Sequence, residues 1–208
     1  MSLISSTHSI SRYVIIGKIK GSINQEIQKT LIKHSIPKTE SVYNEITAGW
    51  TPLESPYNPD FEKFSFSFGT FFVFCLRIDK KTIPVKLIQK YMAIEIEKTK
   101  KKSGRDFISK NEKSEIKELV TDILMHKVPA IPNLYDILWD YENKNLYLYT
   151  TQKTATEFFE SFFLKSFHLK PLKLFPYTAV ETKSLFSSHQ KDKIMNLTPL
   201  KLQCGISK

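Results

Sequence analysis

The sequence predicts an α+β fold: antiparallel hairpins with packed helices and a projecting two-helix subdomain. Three observations carry that expectation. Two stretches, 61–79 and 135–151, read as strand–turn–strand hairpins. Between them, residues 84–128 place apolar side chains at helical spacing in two runs joined by a short link. Strands and helices do not alternate one by one, as a parallel sheet with crossover helices requires.

The elements follow in order. "SRYVIIGKIKG" reads as a strand ended by Gly21, and "SINQEIQKTLIKHSI" as a helix on Ile23, Ile27, Leu31 and Ile32, stopped by Pro37. Residues 47–60, "TAGWTPLESPYNPD", hold Gly49, Pro52, Pro56 and Pro59 and read as loop. In the first hairpin Phe64, Phe66 and Phe68 alternate with polar residues. Gly69-Thr70 turns the chain, and Phe71 to Ile78 is an almost continuous apolar run of the kind a well-buried strand shows.

Pro84 suits the first turn of a helix, where its missing N–H costs nothing. Val85, Ile88, Met92 and Ile96 line one face, and Leu87, Tyr91 and Ile94 a second, so this helix is expected to pack on two sides. Ser109 and Glu112 form a capping box for the next helix, whose stripe is Ile116, Leu119, Val120, Ile123 and Leu124. Pro129 and Pro132 end it. The short link "SGRDF" implies an antiparallel pair. "YDILWDY" and "NLYLYTT" then flank the turn Glu142-Asn143-Lys144. Thr154 and Glu157 are expected to cap a helix carrying Phe158, Phe159, Phe162 and Phe163. Four phenylalanines at helical spacing are read as core, in preference to a base-stacking platform. "LKPLKLFPYTAV" reads as a final strand. The domain reading is therefore 1–83 with 129–180 as a central α+β domain, 84–128 as an inserted helical pair, and 181–208 as a Ser/Lys-rich tail that docking would order.

Thirty-one Lys and Arg stand against 21 Asp and Glu in 208 residues, a net charge of +10. Such an excess points to an anionic partner. Two cysteines, Cys75 and Cys204, are too few for a disulfide framework and fit a reducing compartment. Neither a leader-like apolar segment nor a membrane-length run is evident, so the expectation is a soluble cytoplasmic protein without membrane association. The histidines His8, His34, His126, His168 and His189 lack metal-ligand spacing, and no phosphate-binding P-loop motif occurs, so no cofactor is expected.

The charge is concentrated. Lys80, Lys81, Lys86, Lys90, Lys98, Lys100, Lys101, Lys102 and Arg105 are opposed within their span only by Glu95 and Glu97. The helix dipole accounts for two or three lysines in a last turn, but not for nine bases over this span. Phosphate contact demands positive charge and little fixed geometry, which lysine supplies. Arginine is confined to Arg12, Arg77 and Arg105, which argues against base-specific reading. These nine residues are the candidate DNA-binding patch, with Lys110, Lys113, Lys165, Lys170 and Lys173 in support. Duplex DNA is the first ligand considered and single-stranded DNA the second. No catalytic or metal-binding set is assigned. Two alternatives remain: a metal-dependent exonuclease using Asp136, Asp140 and Glu142, and a basic protein-interaction module. The first is weakened by Glu142 falling in a turn, and Cys75 has no evident activating neighbour.

Taken together, Gly49-Trp50-Thr51-Pro52, the strand ending in "CLRIDKKTIP", the Lys-rich helix after Pro84, "KNEKSEIKELVTDIL", "DILWDYENKNLYLYTTQKTATEFF" and "LKPLKLFPYTAV" resemble, over residues 10–180, the bacterial recombination-associated RdgC family. The resemblance lies in order and spacing. It implies a non-enzymatic DNA-binding protein, a homodimer whose basic inner surface encircles duplex DNA, nucleoid association and a functional link to the RecA recombinase. Family chains extend further at the C-terminus, so this one reads as a shortened member, as an open dimer or monomer in place of a closed ring.

Overall fold

The computed structural model describes residues 3, 5, 7–37, 45–105, 107–182 and 186–197. Among them the α+β expectation holds: six helices accompany a curled antiparallel sheet. The order is β1 (Ser11–Ile16), α1 (Ile23–Lys33), β2 (Ile46–Pro52), β3 (Ser67–Phe68), β4 (Phe71–Lys80), α2 (Val85–Ser103), α3 (Lys110–Lys127), β5 (Ile131–Asp140), β6 (Asn145–Leu148), α4 (Lys153–Phe167), β7 (Lys170–Lys173), α5 (Pro176–Thr182) and α6 (Ser188–Met195). The strands run β2-β4-β5-β6-β1-β7, with β3 paired to β4. No helix among the described residues is long and apolar enough to cross a membrane.

Strand alternation sorts the two faces of the sheet. Phe72, Phe74, Leu76 and Ile78 of β4, Ile137 and Trp139 of β5, Leu146 and Leu148 of β6, and Tyr13 and Ile15 of β1 all point into the core. They meet Phe159, Phe163 and Phe167 of α4 and Ile27 and Leu31 of α1. The phenylalanines of α4 are core, as their spacing predicts, with Phe158 and Phe162 packed on the rim. The opposite face of β4 and β5 carries Cys75, Arg77, Asp79, Asp136 and Asp140.

Trp50 joins three elements. Its ring packs against Phe74 and against Phe162, Phe163 and Phe167. The indole N–H donates to Ser166 Oγ at 3.1 Å, and the main-chain N–H donates to the His34 carbonyl at 2.9 Å. The Ile36 N–H donates back to the Trp50 carbonyl, so the segment after α1 lies along the β2 edge. Gly49 permits this approach, since a Cβ there would collide with the backbone of Ser35 and Ile36.

Several expectations need correction. The first half of 47–60 is strand: β2 pairs with β4 from Ile46↔Lys80 to Pro52↔Phe74, its alternation hidden by glycine and proline. The strand β1 stops at Ile16, because Gly17 takes φ +122°. The first arm of the 61–79 hairpin is reduced to the two residues of β3. Pro132 lies inside β5 and does not close α3. The α4 cap is Gln152, without a side-chain hydrogen bond, and not Thr154. Only 170–173 of "LKPLKLFPYTAV" is strand, because Pro176 opens α5 at a first-turn position. The 181–208 segment contains α6, begun by a Ser187/Gln190 capping box. Cys204 lies outside the described residues.

Most relevant to function, α2 does not pack on two sides. None of its residues is buried, Val85 and Ile94 are exposed, and its main partner is α3. On α3 only Val120 and Leu124 of the expected stripe are buried, while Leu119 and Ile123 are exposed. The pair is closed at its tip by Gly104 in the left-handed region (φ +64°) and by the Ser109/Glu112 box.

Replacing Gly49 with Ala is expected to destabilise the fold by about 2–3 kcal/mol, in the upper range for overpacking against backbone. A urea titration reads this as a lower midpoint. An unchanged midpoint would show that the Ser35–Ile36 segment does not need its close seat on β2.

Candidate nucleic-acid interface

The helical pair grows from the end of the β4/β5 ladder, where Lys80 pairs with Ile131. That position holds α2 and α3 away from the core, so their side chains reach solvent. Lys86, Lys90, Lys98, Lys101, Lys102, Arg105, Lys110 and Lys113 are exposed, and Lys100 is half-buried. Lys100, Lys101 and Lys102 occupy the last turn of α2, where the unpaired helix carbonyls favour cations. Gly104 then turns the chain so that Arg105 and the start of α3, with Lys110 and Lys113, follow within a few residues.

Neutralisation within this patch is sparse. Lys98 Nζ lies 3.0 Å from Glu95, an exposed i,i+3 pair of small energetic worth. The Lys90 ammonium sits 6.0 Å from the Tyr91 ring centre. Glu112 spends its carboxylate on the cap: it accepts from the Ser109 N–H at 2.7 Å, and Ser109 Oγ accepts from the Glu112 N–H at 3.2 Å. Those hydrogen bonds, with a smaller contribution from the Arg105 charge, hold the Glu112 carboxyl below its ordinary pKa.

The structure separates some of the predicted residues from this group. Lys81 is 7% exposed, and its ammonium donates to the Met125 carbonyl at 3.4 Å. It ties the end of β4 to α3 and does not present its charge at the surface. Lys80, one residue earlier, is exposed. Lys170 and Lys173 lie on β7, and Lys165 is in the last turn of α4. Following the register from Lys173 through Tyr13, Leu146 and Trp139 to Phe72 leaves eight residues of β4 before Lys80. That is about 26 Å of extended strand. These three lysines form no part of the α2 patch.

The acids proposed for a metal site do not converge. Asp136 and Asp140 are four residues apart on β5, about 13 Å of strand, and each carboxylate is already held by other partners. Asp136 is buried, accepting from the Cys75 thiol at 3.1 Å and from the Leu3 N–H. Asp140 accepts from the Asn143 N–H and side-chain amide and shapes the β5–β6 turn. Glu142 is exposed in that turn. No group of three or more potential metal ligands occurs among the described residues. Cys75 has a polar neighbour in Asp136, one that quiets the thiol and does not activate it. Burial first, then the Asp136 charge and hydrogen bond, push the thiol well above its ordinary pKa of 9.0. Nearby, Arg77 grips Asp79 with two hydrogen bonds of 2.6 and 2.7 Å and lies over the Tyr57 ring. This buried pair is structural.

Residues 12–188 match the family described as "RdgC: Putative exonuclease, RdgC". No curated protein matches the chain.

The Cys75–Asp136 contact has a measurable consequence. The folded state favours the neutral thiol, so its stabilisation is complete below the ordinary thiol pKa and declines as pH rises above it. In a Cys204→Ser variant, the native protein should leave Ellman's reagent unreacted near pH 8 and release one equivalent of thiol only on unfolding. Rapid reaction of the folded protein would contradict the contact.

Proposed function

The chain belongs to the RdgC family, and from that premise we propose that it binds duplex DNA through the phosphate backbone, independently of sequence, and modulates recombination by occupying DNA without cleaving it. The carrying observation is the run of cations at the α2 end, Lys98, Lys100, Lys101, Lys102 and Arg105, against Glu95 and Glu97 on the same helix. Among the described residues, Lys98 pairs with Glu95 at 3.0 Å. Flexible ammonium groups on an exposed helix follow a phosphate backbone without demanding a base sequence. The contact set is Lys80, Lys86, Lys90, Lys98, Lys100, Lys101, Lys102, Arg105, Lys110 and Lys113, with Lys81 left out because it is buried. In this reading the protein works in the cytoplasm at the nucleoid as a homodimer, and restrains the RecA recombinase by competing for DNA.

The family description keeps an exonuclease reading in view. The separation of Asp136 from Asp140, and the partners each already holds, favour the binding reading.

Fluorescence anisotropy of a short labelled duplex across a salt series tests the proposal. With six to ten phosphate contacts, affinity should fall by roughly 10³–10⁵ between 50 and 200 mM salt. Replacing Lys98, Lys100, Lys101, Lys102 and Arg105 with Ala should make the log–log slope shallower by up to about 4. A flat salt response, or the same slope in both proteins, would refute the assignment. For cleavage, the expected outcome is that labelled linear duplex keeps its full length with Mg²⁺ or Mn²⁺. Shortening that Asp136→Asn abolishes would establish the nuclease.

A further inference from the structure

The histidines, scattered in sequence, are not all scattered in space. His34 caps the C-terminus of α1, and His168 caps the C-terminus of α4 in a left-handed conformation (φ +56°). Trp50 holds the two helix ends together, its main-chain N–H on the His34 carbonyl and its indole N–H on Ser166 Oγ. The His34 ring meets the Phe162 ring edge-on at 6.3 Å. Lys33 and Lys165 flank the same corner and are exposed, as is His168.

No described acid answers these charges. Glu26 is in the first turn of α1 and pairs with Lys29, and Glu157 pairs weakly with Lys153 at the start of α4. Glu160 lies near Tyr13, whose phenol is pushed above its ordinary pKa by burial first and then by the Glu160 charge. The β2 strand packed against the corner has no ionisable residue. His34 registers this field: burial first, then Lys33, Lys165 and His168, lower its pKa. Helix-dipole pairing accounts for one cation at each helix end. It does not account for two lysines and two histidines gathered around one tryptophan with no described carboxylate among them.

We propose that this corner is a second phosphate-binding site, distinct from the α2 patch, and that it tightens when His34 takes up a proton. A phosphate set among Lys33, Lys165 and His34 stabilises the protonated His34 ring, so by linkage affinity rises as pH falls through the histidine range. The inference rests on the DNA-binding reading only for the source of the phosphate, the duplex backbone. Lys165 thereby gains a role that its distance from α2 otherwise denies it.

Two arms test this. In the first, duplex affinity is measured by anisotropy at constant ionic strength, at about pH 5.5 and about pH 8. The native protein should bind on the order of tenfold more tightly at the lower pH, the equivalent of one pKa unit. The His34→Gln variant should lose most of that gain. Lys33→Gln/Lys165→Gln, which alters only exposed side chains and leaves the core intact, should weaken binding at both pH values. Circular dichroism verifies that each variant is folded. In the second arm, the imidazole resonances of His34 are titrated by NMR with and without inorganic pyrophosphate, which should raise its pKa. An identical pH response in native and histidine-variant proteins overturns the duplex-bound site. If the duplex fails to bind at all, the proposed function falls while a pyrophosphate-induced rise still supports a site for small phosphates. No rise overturns the corner as a phosphate site of either kind.

Discussion

The ten-residue antiparallel ladder between β4 and β5, from Phe71↔Asp140 to Lys80↔Ile131, is the constraint on which the rest of the structure depends. Its alternation sends Phe72, Phe74, Leu76, Ile78, Ile137 and Trp139 to the helical side and Cys75, Arg77, Asp79, Asp136 and Asp140 to the other. A slip of one residue in either strand would carry carboxylates into the aromatic core, so the register is fixed from both faces. The same ladder ends where α2 leaves and α3 returns, which makes the helical pair an excursion from the sheet and not a layer of it. Its charge can then be placed without cost to the core.

That separation explains how the pair tolerates its composition. Lys100, Lys101 and Lys102 in one turn repel each other, and a helix with no buried residue has little packing energy to oppose them. Local devices supply the order: the Gly104 turn, the Ser109/Glu112 box, and a small contact involving Ile108, Val120 and Leu124. Lys81 adds a link at the base, its ammonium on the Met125 carbonyl. The arrangement suits a phosphate-contacting arm, since most of its ammonium groups stand in solvent. The corner at His34 and His168 is different in kind. It is built on the core through Trp50, so its geometry is set by burial and not by local capping.

Where the sequence was informative, a single physical signal acted alone. The Phe71–Lys80 run, the two hairpin turns, the α4 phenylalanines and the Ser109/Glu112 cap were legible because burial, turn chemistry or capping each left an unmixed pattern. Strand β2 was not, because Gly49 and Pro52 mark loops in most contexts. Here Gly49 serves the close approach of Ser35–Ile36, and Pro52 ends the edge strand. The second apolar strip of α2 misled in the other direction, since periodicity shows which residues share a face but not whether anything covers it. Ser187 and Gln190 carried a readable cap inside a Ser/Lys-rich stretch whose composition argued for disorder. Of the candidate site, the α2 lysines were legible as a run. The burial of Lys81 and the approach of the α1 end to the α4 end at Trp50 depend on tertiary packing, which residue spacing does not encode.

In the proposed complex an exposed helical arm, and not the acidic face of the sheet, meets the DNA. Lysine footprinting distinguishes the two: acetylate the folded protein with and without a saturating duplex, and read each site by mass spectrometry. Lys86, Lys90, Lys100, Lys101 and Lys102 should be protected, Lys20 and Lys63 labelled equally in both samples, and the buried Lys81 labelled little in either. Full labelling of the α2 lysines in the presence of bound duplex would contradict it.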